Sequence, residues 1–135
     1  MAKEKLLAGR HILLVEDEMM VAMLLESALE SAGCAVISAG HVEQATLLAA
    51  ESEVDAAVLD VNLHGKRSYP VADLLIARGI PFVFSTGYGD VDLLKLYPGR
   101  PVLAKPYRAA ELVTALLSVL AGQSDPGSDG TPRTA

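Results

Sequence analysis

The acidic residues of this chain are not scattered. Glu16, Asp17 and Glu18 follow one short apolar run, and Asp60 ends another (Ala56, Ala57, Val58, Leu59). Thr86 with Gly87 closes a third run, and Lys105 with Pro106 closes a fourth. Carboxylates brought within ~4 Å of one another repel by about 4 kcal/mol at an effective dielectric near 20. Such a group takes up a proton or recruits a cation. Oxygen-only ligands in an open site suit Mg²⁺, which keeps several waters and also accepts phosphate oxygens. A lysine nearby adds a mobile point charge, and a threonine adds a hydroxyl donor. Each piece taken singly has an ordinary explanation. Acids favour helix N-termini, aspartate caps turns, Thr-Gly is turn material, and Lys-Pro is a common surface pair.

The elements that must position these side chains are legible in the pattern. His11 to Val15 reads as a strand, and Val21, Leu24, Leu25, Ala28 and Leu29 recur as one face of a helix that Gly33 closes. Ala35 to Ser38 is a second strand and Val42 to Ala50 a second helix with Val42, Ala45, Leu48 and Ala49 inward. Asp55 to Asp60 is a third strand, and Pro70 opens a helix that carries Val71, Leu74 and Leu75 and ends at Gly79. Pro81 to Ser85 and Pro101 to Ala104 are the last strands, and Arg108 to Ala121 is the last helix, with Leu112, Ala115, Leu116, Val119 and Leu120 in register. Met19, Met20 and Met23 are expected to pack the first helix. Strands apolar throughout and separated by helices imply a parallel sheet covered on both faces. The fold expected is α/β, doubly wound and flavodoxin-like, with five parallel strands in the order 2-1-3-4-5. If that order holds, the first and third strands are neighbours, and Glu16, Asp17 and Asp60 converge beyond their carboxyl ends.

With their order and strand placement, Leu13-Leu14-Val15-Glu16-Asp17-Glu18, Asp60 after Ala57-Val58-Leu59, Thr86, and Ala104-Lys105-Pro106 resemble the four signature sites of a response-regulator receiver domain. The resemblance covers about residues 9–121. It implies that Asp60 accepts a phosphoryl group, that Glu16, Asp17, Asp60 and the main-chain carbonyl of Asn62 hold Mg²⁺, and that Lys105 and Thr86 meet the phosphoryl oxygens. It also implies a bacterial two-component or phosphorelay protein whose partners are a histidine kinase or histidine phosphotransfer protein, with a downstream target or a homodimer as further partners. The output is a phosphorylation-dependent surface or a phosphoryl sink. Its only catalysis is its own phosphorylation and slow dephosphorylation, with Asn62 and Tyr88 flanking the acyl phosphate where they tune water access. Two other readings stand beside this one. The first is a receiver fold kept for phosphorylation-independent binding. The second is a small aspartate-nucleophile phosphohydrolase of the haloacid dehalogenase type, which needs an aspartate where Asn62 stands.

The chain departs from the family pattern in two places. Val102 occupies the fifth-strand position where receivers generally carry an aromatic switch residue, while Tyr88 sits two past Thr86 and Tyr107 follows Lys105-Pro106. Phe84-Ser85-Thr86-Gly87-Tyr88 is similar to the Phe-Ala-Thr-Gly-aromatic motif of a stand-alone subgroup, with Ser85 for Ala. The stretch between Thr86 and Lys105 is also short, and only Val91 to Leu96 can be helical before Pro98-Gly99 breaks it. The fourth helix is expected to be absent or about one to two turns long.

Composition sets the outer limits. The 135 residues are 51% hydrophobic with a net charge of −6, enough for one domain with a buried core and without the clustered Lys and Arg of a nucleic-acid surface. Cys34 is the single cysteine, in an apolar run, so it is expected to be buried in a reducing compartment. No apolar run approaches the ~20 residues of a membrane span, and Met1 to Leu7 lacks a signal-peptide core, so a cytoplasmic protein is expected. His11, His41 and His64 have no spacing for a shared metal and read as surface or packing residues. The stretch from Gly122 to Ala135 has no large apolar side chain and is expected to be a flexible tail, with no fused output module after it.

Overall fold

A computed structural model describes residues 6–87 and 91–123. The order of elements is β1 (His11–Val15), α1 (Met19–Ser31), β2 (Ala35–Ala39), α2 (Val42–Glu51), β3 (Ala56–Asp60), β4 (Asn62–Leu63), β5 (Lys66–Arg67), α3 (Tyr69–Ala77), β6 (Phe82–Thr86), α4 (Val91–Leu96), β7 (Val102–Ala104) and α5 (Ala109–Gln123). Five strands form one parallel sheet in the order β2-β1-β3-β6-β7. Counted within that sheet, this is the expected 2-1-3-4-5. β4 and β5 form a separate antiparallel hairpin.

Why the strands are apolar throughout is plain from where alternate residues go. Leu13, Val15, Ala57, Leu59, Phe82 and Phe84 point into one core shared with α2 and α3. Ile12, Leu14, Ala56, Val58 and Val83 point into the other, shared with α1 and α5. A strand with a period of two that is buried on both faces has no position for a polar residue until it leaves the sheet. All the residues of β3 and β6 are buried, their polar ends included. Full burial of a Leu or Phe contributes roughly 1.5–3 kcal/mol, so these central strands dominate the stability of the frame. Pro81 and Pro101 sit just before β6 and β7, where their carbonyls accept from Ala57 and Phe84 and no proline N–H is missed.

The helix faces of α2, α3 and α5 follow the expected pattern, and α1 does not. Its buried residues are Leu25 and Leu29, with Val21 and Ala22 partly covered. Met19, Met20, Met23 and Leu24 are 76%, 78%, 60% and 71% exposed. The expectation that the methionines pack this helix, and that Leu24 lies on its inner face, is therefore corrected. Met20, Met23 and Leu24 form their own exposed stripe at i, i+3, i+4. The fourth helix is short as expected, at six residues. It is anchored by Leu93 and by Tyr97 just beyond it, at 1% and 8% exposure, while Leu94 and Leu96 are exposed. Cys34 is buried. The tail expected from Gly122 is corrected at its start, because α5 continues through Gly122 to Gln123, and the rest of it lies outside the described residues.

Gly33 ends α1 at φ 101°, and a Cβ there would lie 2.7 Å from the Ala8 Cα. Both the left-handed backbone and the close approach exclude a side chain. Gly33→Ala should lower the unfolding free energy by about 1–3 kcal/mol, measured by urea unfolding; a midpoint within error of the parent would contradict this packing.

Candidate functional site

The register of three strands makes the site. Val15 pairs with Leu59, so β1 and β3 end side by side, and Asp60 pairs with Ser85 on β6. Past the strand ends the ladder continues for one more bond at each position. Glu16 N–H donates to Ala39, Val61 N–H to Ser85 and Lys105 N–H to Thr86. The chain is thus held straight until the functional residue has been delivered.

Acceptor oxygens of Glu16, Asp17 and Asp60 lie within 4.8 Å of one another. Glu16 and Asp60 are 5% and 6% exposed, while Asp17 is half-buried. Lys105 comes from the far side of the sheet end, and its Nζ donates to Glu16 Oε1 at 3.0 Å and to Asp60 Oδ2 at 3.1 Å. Each carboxylate is also aimed by a main-chain N–H. Glu18 N–H donates to Glu16 Oε2 at 3.1 Å, Asn62 N–H to Asp60 Oδ1 at 3.3 Å, and His64 N–H to Asp17 Oδ2 at 2.9 Å. Of the remaining expected residues, Thr86 is buried at the end of β6, opposite Ala104. Asn62 is exposed on β4. Val102 is partly buried, pairs with Phe84 and packs on the core shared with α2 and α3. Tyr107 is half-buried, and its hydroxyl donates to Ser85 Oγ at 3.2 Å. Tyr88 lies outside the described residues.

Three carboxylates facing one ammonium make an electrically unbalanced site. Burial pushes the Glu16 carboxyl up to about 7, against the opposing pull of its bonds to Lys105 and Glu18 N–H. Burial acts against the charged form of Lys105 as well, but bonds to Glu16 and Asp60 outweigh it and hold this ammonium above its ordinary value. A second cation relieves the remaining repulsion, and the all-oxygen donor set fits a hard divalent ion.

The family model of the response regulator receiver domain matches residues 12–117. The chain belongs to the response regulator receiver family. The solution structure of SdrG from Sphingomonas melonis is 42% identical, with a TM-score of 0.73 over 82% of this chain and 96% of that one. The receiver domain of the sensor histidine kinase PA1611 from Pseudomonas aeruginosa is 29% identical, with a TM-score of 0.74 over 84% of this chain and 99% of that one. That structure has a magnesium ion coordinated in its active-site cleft. The uncharacterized transcriptional regulatory protein YbdJ of Bacillus subtilis is 31% identical over 116 residues, 83% of this chain and 51% of YbdJ. This receiver spans about half the length of the curated relatives it matches. Among its described residues no helix is long and apolar enough to cross a membrane.

Several features of this receiver had no signal in its sequence. Tyr97 brings an aromatic ring to 5.2 Å from Phe84, which pairs with Val102, and donates to Asp73 Oδ1 at 2.7 Å. The aromatic that β7 lacks at Val102 is thus supplied from just past α4. The Tyr107–Ser85 bond and the His64 N–H on Asp17 join residues 22 and 47 positions apart, beyond the reach of local pattern.

The sign of the pH response follows from Glu16. The folded, metal-free protein retains this proton up to about pH 7, while the unfolded chain loses it near 4.5. Between these values the folded state binds more protons, so stability falls as pH rises and then levels off. Glu16→Gln should flatten this part of the curve, read as melting temperature in EDTA from pH 5 to 7.5. An unchanged slope in the variant would place its origin elsewhere.

Proposed function

We propose that this receiver accepts a phosphoryl group on Asp60 in a Mg²⁺-dependent reaction. The observation that carries the reading is the cluster of Glu16, Asp17 and Asp60 closed by Lys105. Its oxygen donors fit Mg²⁺, with Glu16, Asp17, Asp60 and the Asn62 carbonyl as the residues to hold it. The bound ion supplies charge neutralisation for the incoming phosphoryl oxygens.

Asp60 is the nucleophile. A carboxylate oxygen forms a bond to phosphorus as the P–N bond of a phosphohistidine donor breaks, and the leaving imidazole takes up a proton. Such transfer depends on positioning and charge stabilisation more than on covalent assistance. The Asn62 N–H and Lys105 already hold both Asp60 oxygens, which supports an attacking group fixed before the donor arrives. Lys105 then moves from carboxylate to phosphoryl oxygen, and the Thr86 hydroxyl donates to another. A shift of Thr86 pulls on Gly87 and the chain that follows. With Val102 on β7 and an aromatic contributed by Tyr97, the readout runs through the α4 end rather than through a β7 ring. Asn62 stands where a phosphohydrolase would need an acid, which favours a slowly hydrolysed acyl phosphate over turnover.

The donor is a histidine kinase or histidine phosphotransfer protein, and the docking face is α1. Met20, Met23 and Leu24 are exposed there, beside an apolar groove of about 420 Å³ lined by Val21, Leu24, Leu25, Pro106 and Tyr107, with Lys105 at its edge. The groove's contact with the site lysine supports docking of an apolar donor helix close to Asp60. We read the output as that of a stand-alone receiver, through a changed surface or as a phosphoryl sink.

Incubation with Mg²⁺ and a small acyl-phosphate donor should add one phosphoryl mass to the intact protein, and Asp60→Asn or EDTA should abolish it. Survival of the adduct in Asp60→Asn would refute the assignment. Met20→Glu should slow transfer from a phosphotransfer protein about tenfold or more, as loss of a central apolar contact does, and leave the small donor unaffected. Equal rates with both donors would remove α1 as the docking face.

A further inference from the structure

The segment after Asp60 folds as a hairpin that the sequence does not announce. Asn62 pairs with Arg67 and Leu63 with Lys66, and the turn between them is His64-Gly65 at φ 51° and 84°. Two successive left-handed residues are the signature of a type I′ hairpin turn, here with His where Asn is usual. Leu63 is 1% exposed and pins the hairpin to the core, and Ser68 N–H closes its base on the Val61 carbonyl.

The tip of this hairpin reaches two other parts of the chain. His64 N–H donates to Asp17 Oδ2 at 2.9 Å. The His64 ring stacks on His41, the residue that caps α2, with centroids 4.6 Å apart and planes 22° from parallel. Lys66 also bridges Glu43 in the first turn of α2 at 2.8 Å, but both ends are well exposed, and such a pair contributes little. The stack joins the tip and α2 through the rings of His64 and His41. Asp17 stands on the loop between β1 and α1, and the His64 bond engages one of its oxygens, leaving the carboxylate a second oxygen for a cation.

We propose that the β4–β5 hairpin is the positioning element of the cation site, with His41 as the positioning residue that holds its tip. One short hairpin then sets two of the four ligands: Asp17, through the His64 N–H, and Asn62, which lies on β4 itself. Groups that orient metal ligands typically change affinity by about 10–100-fold when removed. Binding and tip order are linked, so whatever loosens the tip weakens the ion, and the ion must in turn steady the tip. The proposal rests on the reading of Glu16, Asp17 and Asp60 as a Mg²⁺ site.

The test is a Mg²⁺ titration of the full chain followed by amide NMR shifts, with hydrogen exchange of residues 62–67 measured in EDTA and in saturating Mg²⁺. His41→Ala should raise the Mg²⁺ Kd about tenfold, while His41→Phe, which keeps a ring to stack, should restore it. Gly65→Val, which opposes the left-handed turn without touching a ligand, should act in the same direction as His41→Ala. Mg²⁺ should slow exchange at the His64 amide in the parent protein and less so in His41→Ala. Asp17→Asn separates the two levels of the reading. If it loses Mg²⁺ while His41→Ala keeps the parent Kd, the hairpin proposal is overturned and the cation site stands. If Asp17→Asn itself binds Mg²⁺ as the parent does, the cation site falls and the hairpin proposal falls with it. A loss in His41→Ala that His41→Phe does not restore, with lowered melting temperature in EDTA, would assign His41 a structural role only and overturn the proposal.

Discussion

Carboxylates cluster at one end of an apolar sheet here, and the electrostatic cost of gathering them organises much else in the molecule. Glu16 and Asp60 are almost fully buried, and together with Asp17 they crowd into a space under 5 Å across. Buried like charges persist only when hydrogen bonds and counter-charges offset their desolvation. Each of the three receives a main-chain N–H, and two of them share the Lys105 ammonium. The Lys105 side chain arrives correctly because β7 closes the edge of the sheet and its backbone remains bonded to Thr86 beyond the strand. A rigid hydrophobic frame is thus what brings these polar groups together and holds them at fixed distances.

That frame divides the labour of its two faces. The core shared with α2 and α3 contains Phe82, Phe84 and Tyr97, which couple the middle of β6 to the short α4. The core shared with α1 and α5 underlies the side of the site where Lys105, Pro106 and Tyr107 border an apolar groove. β6 belongs to both, and its polar end carries Ser85, which bonds Tyr107, and then Thr86. That strand end thus contacts the groove side through Ser85 and the α4 side through Phe84. The replacement of an aromatic by Val102 does not leave the α4 side without a ring, because Tyr97 approaches from another element.

The site also draws on a part of the chain that belongs to neither core. The β4–β5 hairpin leaves the sheet directly after Asp60, so it sits over the carboxyl end of β3 with little choice of direction. Its tip touches both the first acidic loop and the start of α2. Two exposed histidines, which would be unremarkable on any other surface, become relevant because one of them presents its N–H to Asp17.

Much of this was written in the sequence, for a physical reason. A strand buried on both faces must be apolar at every position, so β1, β3 and β6 stand out, and the polar residue that ends each run marks where the chain leaves the core. The doubly wound class follows from that pattern and from the handedness of parallel crossovers, while the order 2-1-3-4-5, and with it the convergence of Glu16, Asp17, Asp60 and Lys105, came with the resemblance to receivers. Helix faces were legible where both sides of the helix have a definite environment, as in α2 and α5. In α1 periodicity could not tell an inner stripe from an outer one, because Met20, Met23 and Leu24 are as apolar as Leu25 and Leu29. Only the docked helix decided which stripe was covered. The hairpin, the His41–His64 stack, the Tyr107–Ser85 bond and the Tyr97 ring were likewise decided by tertiary structure. Each depends on side chains or N–H groups far apart in the chain meeting at a particular distance, and neither composition nor spacing encodes distance.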